Sequence, residues 1–316
     1  MKVQLGVVMD DIAAIHYKKD STLAMLWAAQ DLGWGIHYME MGDLFSLRGV
    51  ASATTTQLQL QRDPERWFTK KEQQTIPLHQ LDIILMRKDP PFDMEFIYAT
   101  YLLEQASEAG TVVVNHPRSL RDANEKVFAT RFPDLTPPTL VTRSGAQINA
   151  FLEEEGALVL KPLDGMGGAS IFKLTASDPN RGVILETLTD HGRRFAMAQR
   201  FIPEITHGDK RILVINGRAV PYALARIPAQ GELRGNLAAG GRGVGHPLSR
   251  RDHEICEAIA PELIARDLIF VGLDVIGDYL TEVNVTSPTC IRELDQQFGL
   301  DIAGDLMAEL AERVPA

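Results

Sequence analysis

The stretch KPLDGMGGASIF, Lys161 to Phe172, places one lysine ahead of glycines at 165, 167 and 168. It follows an apolar run, Ala157 to Leu160, that reads as a buried strand. Glycine has no Cβ, so successive backbone N–H groups can turn toward a ligand. Such a concavity binds anions, and a nearby lysine supplies the counter-charge. This is neither a Walker loop nor the dinucleotide fingerprint, because no Gly-Lys-Ser/Thr follows and the third glycine spacing is missing. Taken alone, it reads either as a loop that holds phosphates or as a glycine-rich hairpin with a surface lysine.

A second constellation lies near the C-terminal end. Ile269 to Val275 and Leu280 to Val285 read as paired strands. Residues two apart share a face. Val271, Leu273 and Val275 therefore lie on one face and Asp274 on the other. In the second strand Val283 and Val285 share a face, with Glu282 and Asn284 opposite. Matching the apolar faces sets Leu273 across from Val283 and Asp274 across from Glu282. That register needs an odd loop, most simply Gly277-Asp278-Tyr279, because a two-residue turn sends Asp274 to the wrong face. Two carboxylates and an amide oxygen suit Mg²⁺ that also touches substrate phosphates. The competing reading is a solvated polar face. Against it, like charges directly opposite each other are destabilising without a cation between them.

Arg211 and Arg226 flank a hairpin and could each grip a phosphate or carboxylate with two bonds, or be plain surface charge. Arg234 and Arg242 stand in a glycine-rich segment and could close over an anion. Cys256 and Cys290, the only cysteines, read as packing residues.

These residues need a scaffold. The chain of 316 residues suggests roughly two domains. Lys2 to Met9 reads as a strand, Asp20 or Ser21 caps a helix closed by Gly33, and Ile36 to Met39 is a second strand, an α/β opening. Phe45 to Leu60 reads as a hairpin turning at Arg48-Gly49. Asp82 to Met86 is a buried strand with a polar exit, Arg87 to Pro91, of the kind where ligands sit in open α/β sheets. A helix is expected over about Met94 to Ala109, and a short one from Asn124 to Phe132 carrying Lys126. Ser144 caps another to Glu155. Arg211 to Ile215 and Ala219 to Ala225 form a hairpin around Asn216-Gly217. Residues 230–245 are glycine-rich without periodicity, which marks a lid or disorder. Ser249 caps a long helix to about Arg266, and a last helix runs from Asp301 to about Val314.

The formal charge of −10 argues against nucleic acid or an anionic membrane as the main partner. The first residues lack a secretory pattern, and no apolar run reaches spanning length. Two cysteines make no disulfide framework, so a cytoplasmic protein is expected. No His-Glu-x-x-His occurs, which argues against zinc hydrolase chemistry.

The strings MRKDPPFD (Met86 to Asp93), KPLDGMGGASIF, RGNLAAGGRG (Arg234 to Gly243) and GLDVIGD followed by TEVNVTSPTCIRE (Gly272 to Glu293) occur together and in order. In these the sequence resembles the bacterial glutathione synthetases of the ATP-grasp superfamily, over essentially the whole chain. The resemblance implies an N-terminal Rossmann-like α/β domain, 1–122, and an ATP-grasp domain, 123–316, whose lobes of about 123–200 and 201–316 hold ATP between antiparallel sheets, with a lid at 230–245. It implies that Lys126 and Lys161 contact ATP phosphates under the loop of Gly165, Gly167 and Gly168. Gln199, Arg200 and Ile202 would face adenine, and Asp209 would lie near the nucleotide. Asp274, Glu282 and Asn284 would hold magnesium, two ions with manganese able to substitute. Arg211, Arg226 and Arg234 would meet substrate and developing negative charge, Asn236 the substrate, and Ser287 and Thr289 glycine. Met86 to Asp93 is the candidate for gripping the γ-glutamyl end. The implied activity is ATP-dependent ligation of γ-glutamylcysteine to glycine by a homo-oligomer, with a tetramer expected. Another ATP-grasp carboxylate–amine ligase, of the D-alanine–D-alanine or glutamate-adding type, is the alternative.

Overall fold

In the computed structural model, which describes residues 2–165, 168–229, 232, 235 and 240–314, the opening pattern builds a seven-stranded sheet. Its strands are β1 (Gln4–Val8), β2 (Gly35–Met39), β3 (Leu44–Leu47), β4 (Val50–Leu60), β5 (Phe68–Pro77), β6 (Ile83–Met86) and β7 (Val112–Val114). β2, β1, β6 and β7 run parallel, and the β3–β4–β5 meander extends the β2 edge. α1 (Ser21–Asp31), α2 (Met94–Glu108) and α3 (Pro117–Asp122) complete this part. Asp20 is the cap of α1, accepting from the Leu23 N–H, and the Leu47–Val50 turn falls at Arg48-Gly49.

Two antiparallel sheets follow. The four-stranded one, in the order β10–β9–β11–β8, uses β8 (Thr139–Thr142), β9 (Ala157–Pro162), β10 (Phe172–Thr175) and β11 (Ala196–Arg200), backed by α4 (Gly145–Glu155) and α5 (Arg181–Thr189). It has its own core, including Ile148, Leu152, Leu160, Leu174 and Leu188. The five-stranded one, in the order β14–β13–β12–β15–β16, uses β12 (Asp209–Ile215), β13 (Arg218–Ile227), β14 (Arg242–Pro247), β15 (Phe270–Ile276) and β16 (Tyr279–Asn284). α6 (Arg250–Ala265), α7 (Ile291–Phe298) and α8 (Ile302–Ala311) surround it. Its core is continuous with that of the first sheet: Leu85 and Leu213 share one cluster, Met86 and Val271 another.

Asn115 fastens those two sheets together. Its buried side chain donates to the carbonyls of Phe270 (2.8 Å) and Val285 (2.6 Å) and accepts from the Phe270 N–H (2.9 Å). Asn115→Ala strands those buried groups, and a loss of roughly 3 kcal/mol is expected, read from the urea midpoint. A change under about 0.5 kcal/mol would show that water replaces the amide.

Three expectations need correction. The residues from Asn124 do not form a helix around Lys126. The Asn124 side chain accepts the N–H groups of Lys126 and Val127 in a tight turn, and a 3-10 helix begins only at Phe128. Residues 242–245 of the expected lid belong to β14, which pairs with β13 through backbone bonds that need no side-chain periodicity. The β15–β16 turn has two residues, Gly277 and Asp278, rather than three. The extra residue is a bulge: Val275 faces Leu280, but Asp274 faces Glu282. The bulge restores the parity that a longer loop was expected to supply. Thr281 is the residue it accommodates, and its hydroxyl donates to the Asp274 carbonyl at 3.1 Å.

Candidate functional site

The register places Asp274 opposite Glu282 and Asn284 opposite Gly272, so the expected trio shares one face. Because Gly272 lacks a Cβ, Arg211 and Pro288 pack over it; a Cβ there would lie 2.9 Å from each. Arg211, facing Asp274 across β12 and β15, donates Nε and Nη2 to its two oxygens at 2.6 and 3.1 Å. Arg226 on β13 adds Nη2 to Asp274 Oδ2 at 2.8 Å and to Asp209 Oδ2 at 2.5 Å.

Lys161, at the end of β9, crosses from the four-stranded sheet to Glu282 Oε1 at 3.0 Å. Lys126 Nζ lies 3.8 Å from the same oxygen, donates to the Gly165 carbonyl at 2.8 Å and pairs with Glu125. Both lysines are buried. Lys126, Lys161 and the Gly165 end of the loop thus converge on the carboxylate strand, so neither lysine is plain surface charge. Gly168 takes a positive φ of 78°, as a tight loop needs. Gly167 lies outside the described residues, as do Arg234 and Asn236.

Burial would raise the Asp274 carboxyl, but Arg211 and Arg226 outweigh it and hold the group well below the usual range. For Glu282, burial is likewise outweighed by Lys161 and Lys126. Asp209 goes the other way: burial, reinforced by Asp274 and Glu282 against Arg226, pushes it up to about 7. Glu125 is also raised, by burial and then by Glu282. A lowered carboxyl stabilises the fold above its unfolded value and loses that contribution as pH falls. The reference values are 3.8 for Asp274 and 4.5 for Glu282. The melting temperature is therefore expected to fall more steeply below about pH 4 in wild type than in Asp274→Asn. Parallel profiles would remove the Asp274 pairs as the cause.

The other expected residues spread around this cluster. Gln199 is buried on β11 and donates to Thr139 Oγ1 at 3.1 Å. Arg200 donates to the Tyr279 hydroxyl at 2.9 Å, and Ile202 is buried beyond the strand. Ser287 donates to the Arg87 carbonyl at 3.2 Å, and Thr289 lies beside Cys290. Glu125 was missed by the sequence reading. Its only signal there is adjacency to Lys126.

Asp274, Glu282 and Asn284 present oxygen donors, the ligand type that a hard cation such as magnesium takes. Among the described residues no group of three or more His, Cys, Asp or Glu is arranged for a metal; this face offers two carboxylates and one amide. Magnesium characteristically completes its shell with waters and phosphate oxygens. Asn284 donates Nδ2 to the Gly272 carbonyl at 3.3 Å, leaving its amide oxygen as acceptor. Asp274 accepts three bonds of the roughly four its oxygens can take.

Family models for prokaryotic glutathione synthetase match both parts of the chain, the N-terminal domain at residues 3–121 and the ATP-grasp domain at 125–310. The chain belongs to the prokaryotic glutathione synthetase family. Among its relatives, a glutathione synthetase of Pseudomonas aeruginosa is 60% identical over 316 residues, covering 100% of both chains. One of Vibrio vulnificus is 59% identical over 316 residues, covering 100% of this chain and 99% of the relative. One of Escherichia coli O157:H7 is 58% identical over 312 residues and 99% of each chain. As a member of this family the chain is an ATP-dependent ligase. Solved structures agree on the ATP-grasp fold. The D-cycloserine synthetase DcsG superposes with a TM-score of 0.69 at 15% identity, over 99% of this chain and 100% of that one. The ATP-grasp ligase PsnB gives 0.63 at 17% identity, over 98% of each chain.

Proposed function

We propose that the chain joins γ-glutamylcysteine to glycine with ATP, giving glutathione, ADP and phosphate. The observation that carries this reading is the buried cluster in which Lys126 and Lys161 meet Glu282 while Arg211 and Arg226 meet Asp274. The choice of substrate is supported by full-length relatives named glutathione synthetase. A free carboxylate is a poor electrophile, so ATP first converts the cysteinyl carboxylate of the donor to an acyl phosphate. Glycine's amine then displaces phosphate. Lys126, Lys161 and the loop of Gly165, Gly167 and Gly168 hold the phosphates; Arg211, Arg226 and Arg234 offset the negative charge that develops. Asp274, Glu282 and Asn284 would hold magnesium, which when bound would neutralise phosphate charge. Gln199, Arg200 and Ile202 receive adenine with Asp209 nearby, Asn236 meets substrate, and Ser287 and Thr289 receive glycine.

The same proposal divides the chain at about residue 122 and treats the segment between β13 and β14 as a lid that keeps water from the acyl phosphate. It places the enzyme in the cytoplasm; among the described residues no helix is long and apolar enough to cross a membrane. It also takes the working form to be a homo-oligomer, expected to be a tetramer. Met94, Tyr98 and Tyr101 are exposed at helical spacing on α2, apolar surface that a second copy would cover.

The deciding assay follows ADP release with Mg-ATP and γ-glutamylcysteine plus glycine, then with D-alanine, then with glutamate as acceptor and suitable donors, identifying products by mass. Turnover with the first pair alone is expected. Turnover with another pair only would overturn the substrate, and ATP binding without turnover would overturn the ligase reading.

A further inference from the structure

β14 brings the chain back from the glycine-rich segment, and its own residues give it little hold. It lies at the edge of the five-stranded sheet, paired with β13. No residue of β14 is buried. A strand that adds no buried side chain to a core opens at low cost unless something else holds it.

That hold comes from the end of α7. Gln297 Oε1 accepts the Gly245 N–H at 2.7 Å. Phe298 lies so close over Gly245 that a Cβ there would sit 2.2 Å from its ring. The same ring stacks on Tyr222 of β13, with centroids 3.7 Å apart and planes 14° from parallel. Tyr222 in turn faces Pro247 of β14. Gly243 shares a face with Gly245, and a Cβ on it would press on Leu224 at 3.2 Å. Both glycines thus lack the side chain that would hold the strand off its neighbours.

The other end of α7 is fixed independently. Ile291 and Leu294 are fully buried, and the Ile291 N–H donates to Ser21 Oγ at 3.3 Å. Arg292 donates to the Tyr17 carbonyl at 2.7 Å and lies over the Trp27 ring at 4.8 Å. The helix starts two residues after Thr289 and has eight residues, a stiff rod about 12 Å long. It therefore sets the distance between β14 and the segment Ser287 to Thr289.

We propose that α7 is a strut for the C-terminal root of the lid, with Gln297 and Phe298 as positioning residues that neither substrate touches. The inference rests on the ligase reading and deepens it. With its root fixed, the segment between β13 and β14 closes in one place over the acyl phosphate. With its root loose, water takes the amine's place at the acyl carbon, phosphate leaves and the free donor carboxylate returns. One ADP has then formed with no peptide bond.

The test compares Phe298→Ala and Gln297→Ala with Phe298→Tyr, which keeps the ring, and Gln297→Glu, which keeps an acceptor oxygen. Tryptic cleavage after Arg242, read by mass, reports release of β14. It is expected to be about tenfold faster in each alanine variant and unchanged in the conservative ones. The second readout is ADP released per peptide bond formed, with whichever donor and acceptor the wild type turns over. It should rise about twofold or more in the alanine variants and be restored in the conservative ones. Unchanged cleavage in both alanine variants would show that α7 does not hold β14 and overturn the proposal. Faster cleavage with an unchanged ADP ratio would reduce both residues to structural roles and overturn it too. Turnover by wild type of another pair only would overturn the proposed substrate and leave this comparison standing. No turnover with any pair would overturn the ligase reading and the strut's role with it.

Discussion

Glu282→Gln is expected to lower magnesium-dependent turnover by roughly a thousandfold while the chain stays folded. The substitution keeps the shape of the side chain and removes its charge. Two things depend on that charge. Lys161 and Lys126 are drawn to Glu282 Oε1, at 3.0 and 3.8 Å, and the proposed metal shell takes one of its two carboxylates from here. Glutamine satisfies neither a lysine pair nor a hard cation as well as a carboxylate does. The side chain is partly open to solvent, so the fold should tolerate the loss better than the chemistry does. Steady-state rates at saturating magnesium, with a thermal melt of the same preparation, separate the two effects. Activity within about tenfold of wild type would remove Glu282 from the metal shell.

Arg226→Met is expected to cost about 3–5 kcal/mol of stability. The guanidinium is buried between Asp209 and Asp274. Asp274 retains Arg211 in the variant. Asp209 retains no cation partner among the described residues, and its Oδ1 already lacks a hydrogen bond. An abandoned buried carboxylate must take up a proton or drag in water. The check is a double-mutant cycle by urea denaturation. Adding Asp209→Asn to Arg226→Met should recover much of the loss, because the neutral amide needs no counter-ion. Additive losses would place the cost in packing instead.

Sequence periodicity carried the reading of the reaction centre a long way, for a physical reason. Strand parity is an all-or-none property, so Val271, Leu273 and Val275 on one side dictated where Asp274 must point. The means of achieving that parity was hidden. A bulge at Thr281 and a longer turn give the same apolar pattern, and only backbone geometry tells them apart. β14 was hidden for a related reason. Gly243 and Gly245 carry no side-chain signal, and Gly245 is selected by a neighbour far along the chain: a Cβ there would meet the Phe298 ring at 2.2 Å. Lys126 was singled out, but its turn was misread as a helix because Asn124 works through a side-chain bond to the backbone. Nor could the sequence show that Arg87, in an exit loop between prolines and charges, would be a buried cation without an ion pair among the described residues. That follows from the meeting of β6, α1 and the segment after β16.

The mutual pairing of charges has a consequence for how the nucleotide is received. Lys126, Lys161, Arg211 and Arg226 are balanced by Glu125, Asp209, Asp274 and Glu282, so the centre resembles a crystal of internal salt. Such a lattice rejects a lone anion, which would face the carboxylates, and a lone cation, which would face the lysines and arginines. A guest carrying both signs can trade places with the internal pairs, phosphate taking the cations and metal taking the carboxylates, with little change in total charge. On the proposed function the centre would act as an ion exchanger, admitting nucleotide and metal as one loaded unit.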